Sequence, residues 1–283
     1  MKYLIAGASG QLAKAFISHF DRDEIAFEAP PESAFDITDA RSVETFVETC
    51  KPDVILNCAA YNAVDTAERD PAPAFRINAE AVETLAAAAA RHSAILVHYG
   101  TDYVFDGATE RPYREEDETG PLNAYGKSKL AGEQAALNGD AEALLLRVSW
   151  AYGSGNQNFF HKMLEWSEGR DVLKVVWDQI SVPTYTEDIV TYTLAALEHQ
   201  LRGLYHLTNS GYATRYEVAR HFFKCIERDT TIIPVGTDAF PSPAERPFFS
   251  AMSNDKLSSA LDTVIPTWED AVSRFAQQIA KLH

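Results

Sequence analysis

Tyr125 and Lys129 stand four residues apart in the stretch YGKSKLAGEQAAL. The stretch reads as helix, and four residues is about one turn, so both side chains project from one face. A phenol on such a face passes a proton to or from a carbonyl oxygen if its acidity is suitable. A nearby ammonium favours the phenolate, so the pair predicts a Tyr125 pKa below the usual ~10. The same spacing also arises as an exposed surface pair, so the chemistry needs further groups.

The next group is a glycine loop. Gly7-Ala8-Ser9-Gly10-Gln11-Leu12-Ala13 follows an apolar run and opens a helical pattern. In that context the glycines permit a tight turn and close backbone approach to a pyrophosphate, while the helix N-terminus offers free N–H groups. Gly7, Ser9, Gly10, Gln11 and Leu12 are therefore candidate dinucleotide contacts. Glu28 lies 21 residues after Gly7, at the offset where an acid bonds the adenosine ribose hydroxyls. It would repel a 2′-phosphate, which leans towards NADH or dual use over strict NADPH. Glu28 also fits a plain surface role. Asp36-Ile37 suits the adenine edge, and Asp36 equally suits the cap of the next helix.

These residues need a scaffold. Strands are expected at 3–6, 25–28, 54–57, 95–99 and 144–148, and helices at 11–20, 40–50, 70–91 and 125–136. The runs VILNCAA, ILVHYG and LLLRVSW are nearly continuous apolar segments, as strands buried on both faces are. Strand–helix alternation implies an α/β, Rossmann-type, doubly wound parallel sheet. Prolines and glycines punctuate the later part, with shorter helices expected at 186–197, 215–227 and 267–282. We expect a dinucleotide-binding domain over 1–150 and a smaller substrate-binding lobe over 151–283, partly interleaved with the first.

Composition narrows the class. The chain has 283 residues, 46% of them hydrophobic, which is enough for a sizeable core. No apolar stretch reaches the ~20 residues of a membrane span, and the start does not read as a signal peptide. Three cysteines (Cys50, Cys58 and Cys225) form neither a disulfide framework nor a zinc pattern, so a reducing cytoplasm is expected. The net charge of −16 argues against nucleic-acid binding. It also means that an anionic substrate needs a local basic patch. No carboxylate cluster suggests a metal.

The glycine loop and Tyr-x-x-x-Lys, joined by PDVILNCAAYNAVDTAE, VHYGTDYVFDG, PLNAYGKSKLAGE, LRVSWAYG, DQISVPTYTEDI, GLYHLTNSG and AERPFFSAMSNDKL, identify a family. The chain resembles the extended short-chain dehydrogenase/reductases, and within them the dTDP-4-dehydrorhamnose reductases, over nearly its whole length. The resemblance implies reduction of the 4-keto group of a dTDP-4-keto-6-deoxyhexose with NADPH or NADH, by a monomer or homodimer. It implies Thr101, Tyr125 and Lys129 as catalytic residues. Thr101 would bond the carbonyl, Tyr125 would give the proton, and Lys129 would tune Tyr125 and hold the nicotinamide ribose. Cys58, Ala59, Ala60 and Tyr61 would line the cofactor cleft, and Asn78 would support the active-site helix. Asp102, Val104, Trp150, Asn158 and Arg246 would meet the substrate, Trp150 against the sugar and the last two near the diphosphate.

Some positions depart from that pattern: Gly100 stands where serine is common, Ser181-Val182 replaces a smaller pair, Trp177 is bulky, and Asn156-Gln157-Asn158-Phe159-Phe160 is unusual. A 4,6-dehydratase commonly carries Asp-Glu after the threonine, whereas here Asp102-Tyr103 follows Thr101. Other readings are another nucleotide-sugar reductase or epimerase, or a non-catalytic nucleotide-binding subunit resembling the β subunit of methionine adenosyltransferase. An intact Thr101, Tyr125 and Lys129 set favours turnover.

Overall fold

The computed structural model describes residues 1–155 and 158–280. Asn156 and Gln157, part of the unusual segment noted above, and the end of the helix expected at 267–282 lie outside them.

Five strands alternate with helices in the first half: β1 (Tyr3–Ala6), α1 (Gln11–Arg22), β2 (Phe27–Glu28), α2 (Ala40–Cys50), β3 (Val54–Asn57), α3 (Val64–Arg69), α4 (Ala72–Phe75), α5 (Ala81–Arg91), β4 (Ile95–Thr101), α6 (Ala124–Asn138) and β5 (Ala143–Val148). The second half runs β6 (Ala151–Tyr152), α7 (Phe159–Ser167), β7 (Val172–Val176), β8 (Ile180–Ser181), β9 (Thr184–Tyr185), α8 (Thr186–Glu198), β10 (Gly203–His206), β11 (Ala213–Thr214), α9 (Arg215–Cys225), β12 (Thr231–Val235), α10 (Asp255–Ala260) and α11 (Trp268–Ala280).

The main sheet has the order β10-β5-β4-β3-β1-β2 and is parallel throughout. Successive strand residues divide between its faces. Tyr3, Ile5, Val54, Leu56, Val97 and Tyr99 join Phe16, Phe20, Ile189 and Val190 in one buried cluster. Leu4, Ala6, Ile55 and Leu96 join Val43, Val47, Val82 and Leu85 in another. Each large side chain so buried contributes about 1.5–3 kcal/mol. Two covered faces explain the unbroken apolar runs and agree with the doubly wound expectation. The chain crosses from one side of β1 to the other between β2 and β3. That reversal opens a crevice between the carboxyl ends of β1 and β3, where such sheets bind ligands.

The second half is shared. β10 extends the main sheet beside β5, and α8 packs on α1. The remainder builds its own core around Tyr152, Phe160, Phe222, Trp268 and Phe275.

Several expected elements shift. The strand expected at 25–28 shrinks to Phe27–Glu28, because at the sheet edge only those residues meet Tyr3 and Leu4. The single helix expected at 70–91 is broken. Pro71 and Pro73 confine a short first piece, and Arg76–Glu80 form a π-helical turn before α5. Asn78, in that turn, is buried. β4 runs on to Thr101, so the threonine ends the strand and does not lie past it.

α6 packs unusually close to its neighbours. A Cβ on Gly132 would collide with the backbone oxygen of Asn78, and one on Gly126 with the backbone oxygen of Tyr103. Gly132→Ala should therefore overpack this contact and cost about 1–3 kcal/mol. Thermal unfolding of the variant should show a melting temperature lower by several degrees; an unchanged value would mean that the contact yields freely.

Candidate active site

The crevice holds a cavity of about 410 Å³. Its walls include Gly10, Gln11 and Leu12 from the glycine loop, Cys58, Ala59 and Ala60 after β3, Thr101 and Asp102 at the end of β4, Tyr125 and Lys129 on α6, and Trp150. Of the residues singled out in the sequence, Gly7, Ser9, Glu28, Asp36, Ile37, Tyr61, Val104, Asn158 and Arg246 do not line it.

Around the glycine loop, Gly7 has φ of 76°, and a Cβ there would fall 2.7 Å from the Ala59 backbone. Only glycine fits this left-handed, crowded position. Gly10 precedes α1 as its N-cap, with no side-chain cap bond and no acid in the first turn. Free N–H groups and the positive end of the helix dipole thus face the crevice. Gln11 Nε2 donates to the Ala151 carbonyl at 2.8 Å, tying the loop to the second half. These features fit a dinucleotide diphosphate.

Asp36 accepts from the Thr38 N–H and hydroxyl at 2.9 and 2.8 Å, and these bonds hold its carboxyl below the usual range. Glu28 is half-exposed and lies 3.5 Å from Lys2 Nζ. It borders a separate cavity of about 490 Å³ with Asp39, Arg41 and Ser42.

On α6, Asn123 caps the helix by accepting from the Gly126 N–H at 2.8 Å. Asn78 accepts from the Tyr61 N–H at 2.8 Å, and its amide donates to the Tyr61 carbonyl and to Ser128 Oγ at 3.1 and 3.0 Å. Ser128 donates in turn to the Tyr125 carbonyl at 2.8 Å. Asn78 therefore clamps the segment after β3 to the helix that carries Tyr125. Its place on a π-helical turn gives it that reach.

The Tyr125 hydroxyl donates to Asn62 Oδ1 at 3.3 Å and is within hydrogen-bonding range of Thr101. Lys129 Nζ donates to the Tyr99 carbonyl at 2.6 Å. Burial pushes the Lys129 ammonium down to about 8. The expected acidification of Tyr125 is not found. Burial drives its pKa well above 10, only partly offset by Thr101, while Lys129 spends its contact on Tyr99. Desolvation of the anion dominates, and the charges that act on Tyr125, those of Asp102, Tyr103 and Glu133, raise it further.

Thr101 Oγ donates to Asp102 Oδ1 at 3.2 Å, and Ser250 Oγ donates to Asp102 Oδ2 at 2.5 Å. Asp102 is buried, and desolvation raises its pKa against these bonds. Gly100 meets a buried Glu133–Arg147 ion pair with N–O distances of 2.8–3.2 Å. A Cβ on Gly100 would clash with Glu133 Oε1 and approach Arg147 Cγ to 2.9 Å. The ion pair occupies the space a serine side chain would need.

The two side chains expected near the diphosphate are engaged within the protein. Arg246 forks onto Asp65 at 2.8 and 3.1 Å. Asn158 donates to the Gly153 and Gly155 carbonyls and caps α7. Trp150 adopts φ of 42° and carries the Arg215 guanidinium 4.6 Å from its ring centroid. Ser181 lines the cavity, Val182 is fully buried, and Trp177 is exposed away from the cavity wall. Sequence reasoning missed Asn62, Tyr103, Gln179, Arg215 and Ser250 in the wall. Asn62, Tyr103, Gln179 and Ser250 sit inside quoted motifs without any spacing that marks them, and Arg215 sits in none.

Burial of Lys129 has a signed consequence. Its folded pKa of about 8 lies below the 10.5 of an exposed lysine, so below pH 8 the charge opposes folding in full. Between 8 and 10.5 the unfolded chain binds more protons, and stability from this group rises with pH. Lys129→Met should therefore melt higher than the parent at pH 7, with the margin shrinking as pH passes 8. A lower melting temperature at pH 7 would show that the Tyr99 bond outweighs desolvation.

A family model described as the RmlD substrate binding domain matches residues 1–281. A dTDP-4-dehydrorhamnose reductase of Sinorhizobium fredii is 37% identical, covering 97% of this chain and 96% of the relative. A dTDP-4-keto-6-deoxy-D-glucose reductase of Streptomyces niveus is 34% identical over 96% of each chain. A crystal structure of dTDP-4-dehydrorhamnose reductase from Bacillus anthracis in complex with NADP superposes with a TM-score of 0.94, at 33% identity, covering 98% of this chain and 99% of that one.

Proposed function

The chain belongs to the RmlD substrate binding domain family, and from that premise we infer that it reduces the 4-keto group of a dTDP-4-keto-6-deoxyhexose. The substrate we assign is dTDP-4-dehydrorhamnose, giving dTDP-L-rhamnose. The observation that carries the reading is the meeting of Thr101, Tyr125 and Lys129 with the glycine loop around one cavity. It favours turnover over a purely regulatory nucleotide-binding role.

Bound NADPH or NADH supplies the hydride. The loop from Gly7 to Leu12 would hold the diphosphate at the start of α1, and Ala59 and Ala60 would face the dinucleotide. Glu28, Asp36 and Ile37 remain our candidates for the adenosine end. Tyr125 and Thr101 share the hydrogen-bonding position where a keto oxygen is to be held. A reductase needs its acid protonated at rest, and burial keeps the Tyr125 phenol in that form. As negative charge grows on the keto oxygen, Tyr125 gives up its proton and Thr101 donates a hydrogen bond. The Lys129 ammonium then stabilises the phenolate left behind. Asp102 fixes Thr101 through their hydrogen bond. We place Val104, Asn158 and Arg246 around the substrate side as support, and Trp150 beside the sugar.

Among the described residues no helix is long and apolar enough to cross a membrane. The three free cysteines suit a cytoplasmic setting. We propose a monomer or homodimer with no nucleic-acid partner.

Tyr125→Phe should lower the rate of NADPH oxidation with dTDP-4-dehydrorhamnose by about 10²–10⁴-fold, the contribution of a positioned general acid. NADPH affinity should stay near that of the parent. Absorbance of the reduced nicotinamide and fluorescence titration read the two quantities. A near-parental rate would remove Tyr125 as the proton donor.

A further inference from the structure

Among the described residues two cations line the cavity, Lys129 and Arg215. Lys129 is bonded to the Tyr99 carbonyl. Arg246 is neutralised by Asp65 and does not reach the wall. Arg215, the first residue of α9, is different. Among the described residues no carboxylate lies within ion-pair distance of it. In a chain of net charge −16, a cation facing a cavity with no acidic partner is the local basic spot that an anionic substrate requires.

The guanidinium is also held in place. Its Cζ lies over the Trp150 ring, 4.6 Å from the centroid, and over the Phe159 ring at 6.0 Å. Arg215 Nε donates to Gln179 Oε1 at 3.1 Å, while Gln179 Nε2 donates to Thr237 Oγ at 3.0 Å. Thr237 is fixed by Asp178, which accepts from its N–H and hydroxyl at 2.9 and 2.7 Å. The Tyr103 hydroxyl also pairs with Arg215, whose charge draws down a phenol that burial raises. A fork oriented on Nε by Gln179 presents its remaining N–H groups to a planar or tetrahedral oxyanion.

We propose that Arg215 binds a phosphate oxygen of the nucleotide diphosphate in the sugar-nucleotide substrate, with Gln179 and Trp150 as its positioning residues. The inference rests on the sugar-nucleotide reading and adds to it the residue that neutralises the substrate. It also makes α9 and the residue that precedes β8, both in the second half of the chain, partners in substrate capture.

The test is binding without turnover, using dTDP, dTMP and thymidine as probes of the substrate side and NADPH as probe of the cofactor side. Calorimetry on the parent, Arg215→Gln and Arg215→Lys, each with its melting temperature recorded, separates the cases. One hydrogen bond to a charged group corresponds to roughly a tenfold to hundredfold affinity change. Arg215→Gln should weaken dTDP by that factor, weaken thymidine and NADPH by less than threefold, and leave the fold intact. Arg215→Lys should regain part of the dTDP affinity. Unchanged dTDP binding in Arg215→Gln overturns the proposal. An equal loss for thymidine, which marks a structural role, overturns it too. So does a loss confined to NADPH, which would place the cofactor's own diphosphate there. Absence of dTDP binding by the parent has the same force. Binding of dTDP through Arg215 without NADPH oxidation on any keto sugar would instead sink the reductase reading and leave this one standing.

Discussion

The site depends on how closely α6 lies against β4 and the π-helical turn. Side chains at 126 and 132 would stand in backbone oxygens, so glycine at both lets the helix settle at contact distance. The closeness has a chemical effect. Residues that face inward from α6 are not chiefly apolar; they include Ser128, Lys129 and Glu133. Each finds a partner within the packed layer: Asn78, the Tyr99 carbonyl and Arg147. A buried polar group without such a partner would be costly. Geometry of the helix and satisfaction of its polar face are thus one constraint, and Tyr125 inherits its position from it.

Burial then sets the proton inventory. The same dry surroundings raise Tyr125 and Asp102 and lower Lys129 and His98. All four move towards their neutral forms, as desolvation demands. Hydrogen bonds from Thr101 and Ser250 partly reverse the effect at Asp102. The resting site therefore holds a protonated phenol beside a weakened ammonium, an arrangement that favours giving a proton over taking one.

Much of this was legible in the chain itself. Continuous apolar runs with intervening helical patterns announced a sheet covered on both faces, because a period of two vanishes when both faces are buried. Gly7 and Gly10 directly after such a run located the crevice. Tyr125 and Lys129 were legible because helical spacing is local. Other features were not. The π-helical turn at 76–80 carries no residue signature, and it interrupts what periodicity reads as one helix. The direction of the Tyr125 shift depends on burial, which a spacing cannot report. The Glu133–Arg147 pair joins α6 to β5 and explains Gly100 only once the two are seen in contact. Arg215 stands far along the chain from Trp150 and Gln179, so nothing local in the sequence brings them together.

The edge of the main sheet is completed late. β5 is apolar and buried, and its outer neighbour is β10, whose residues follow it by more than fifty positions. A nascent chain that has emerged only as far as β5 presents an unpaired strand of leucines to solvent, a template for association with other chains. Residues 203–206 thus act as an internal shield, and a fragment ending near 150 would lack it. The two halves of the chain thus meet in one sheet, where β10 pairs with β5.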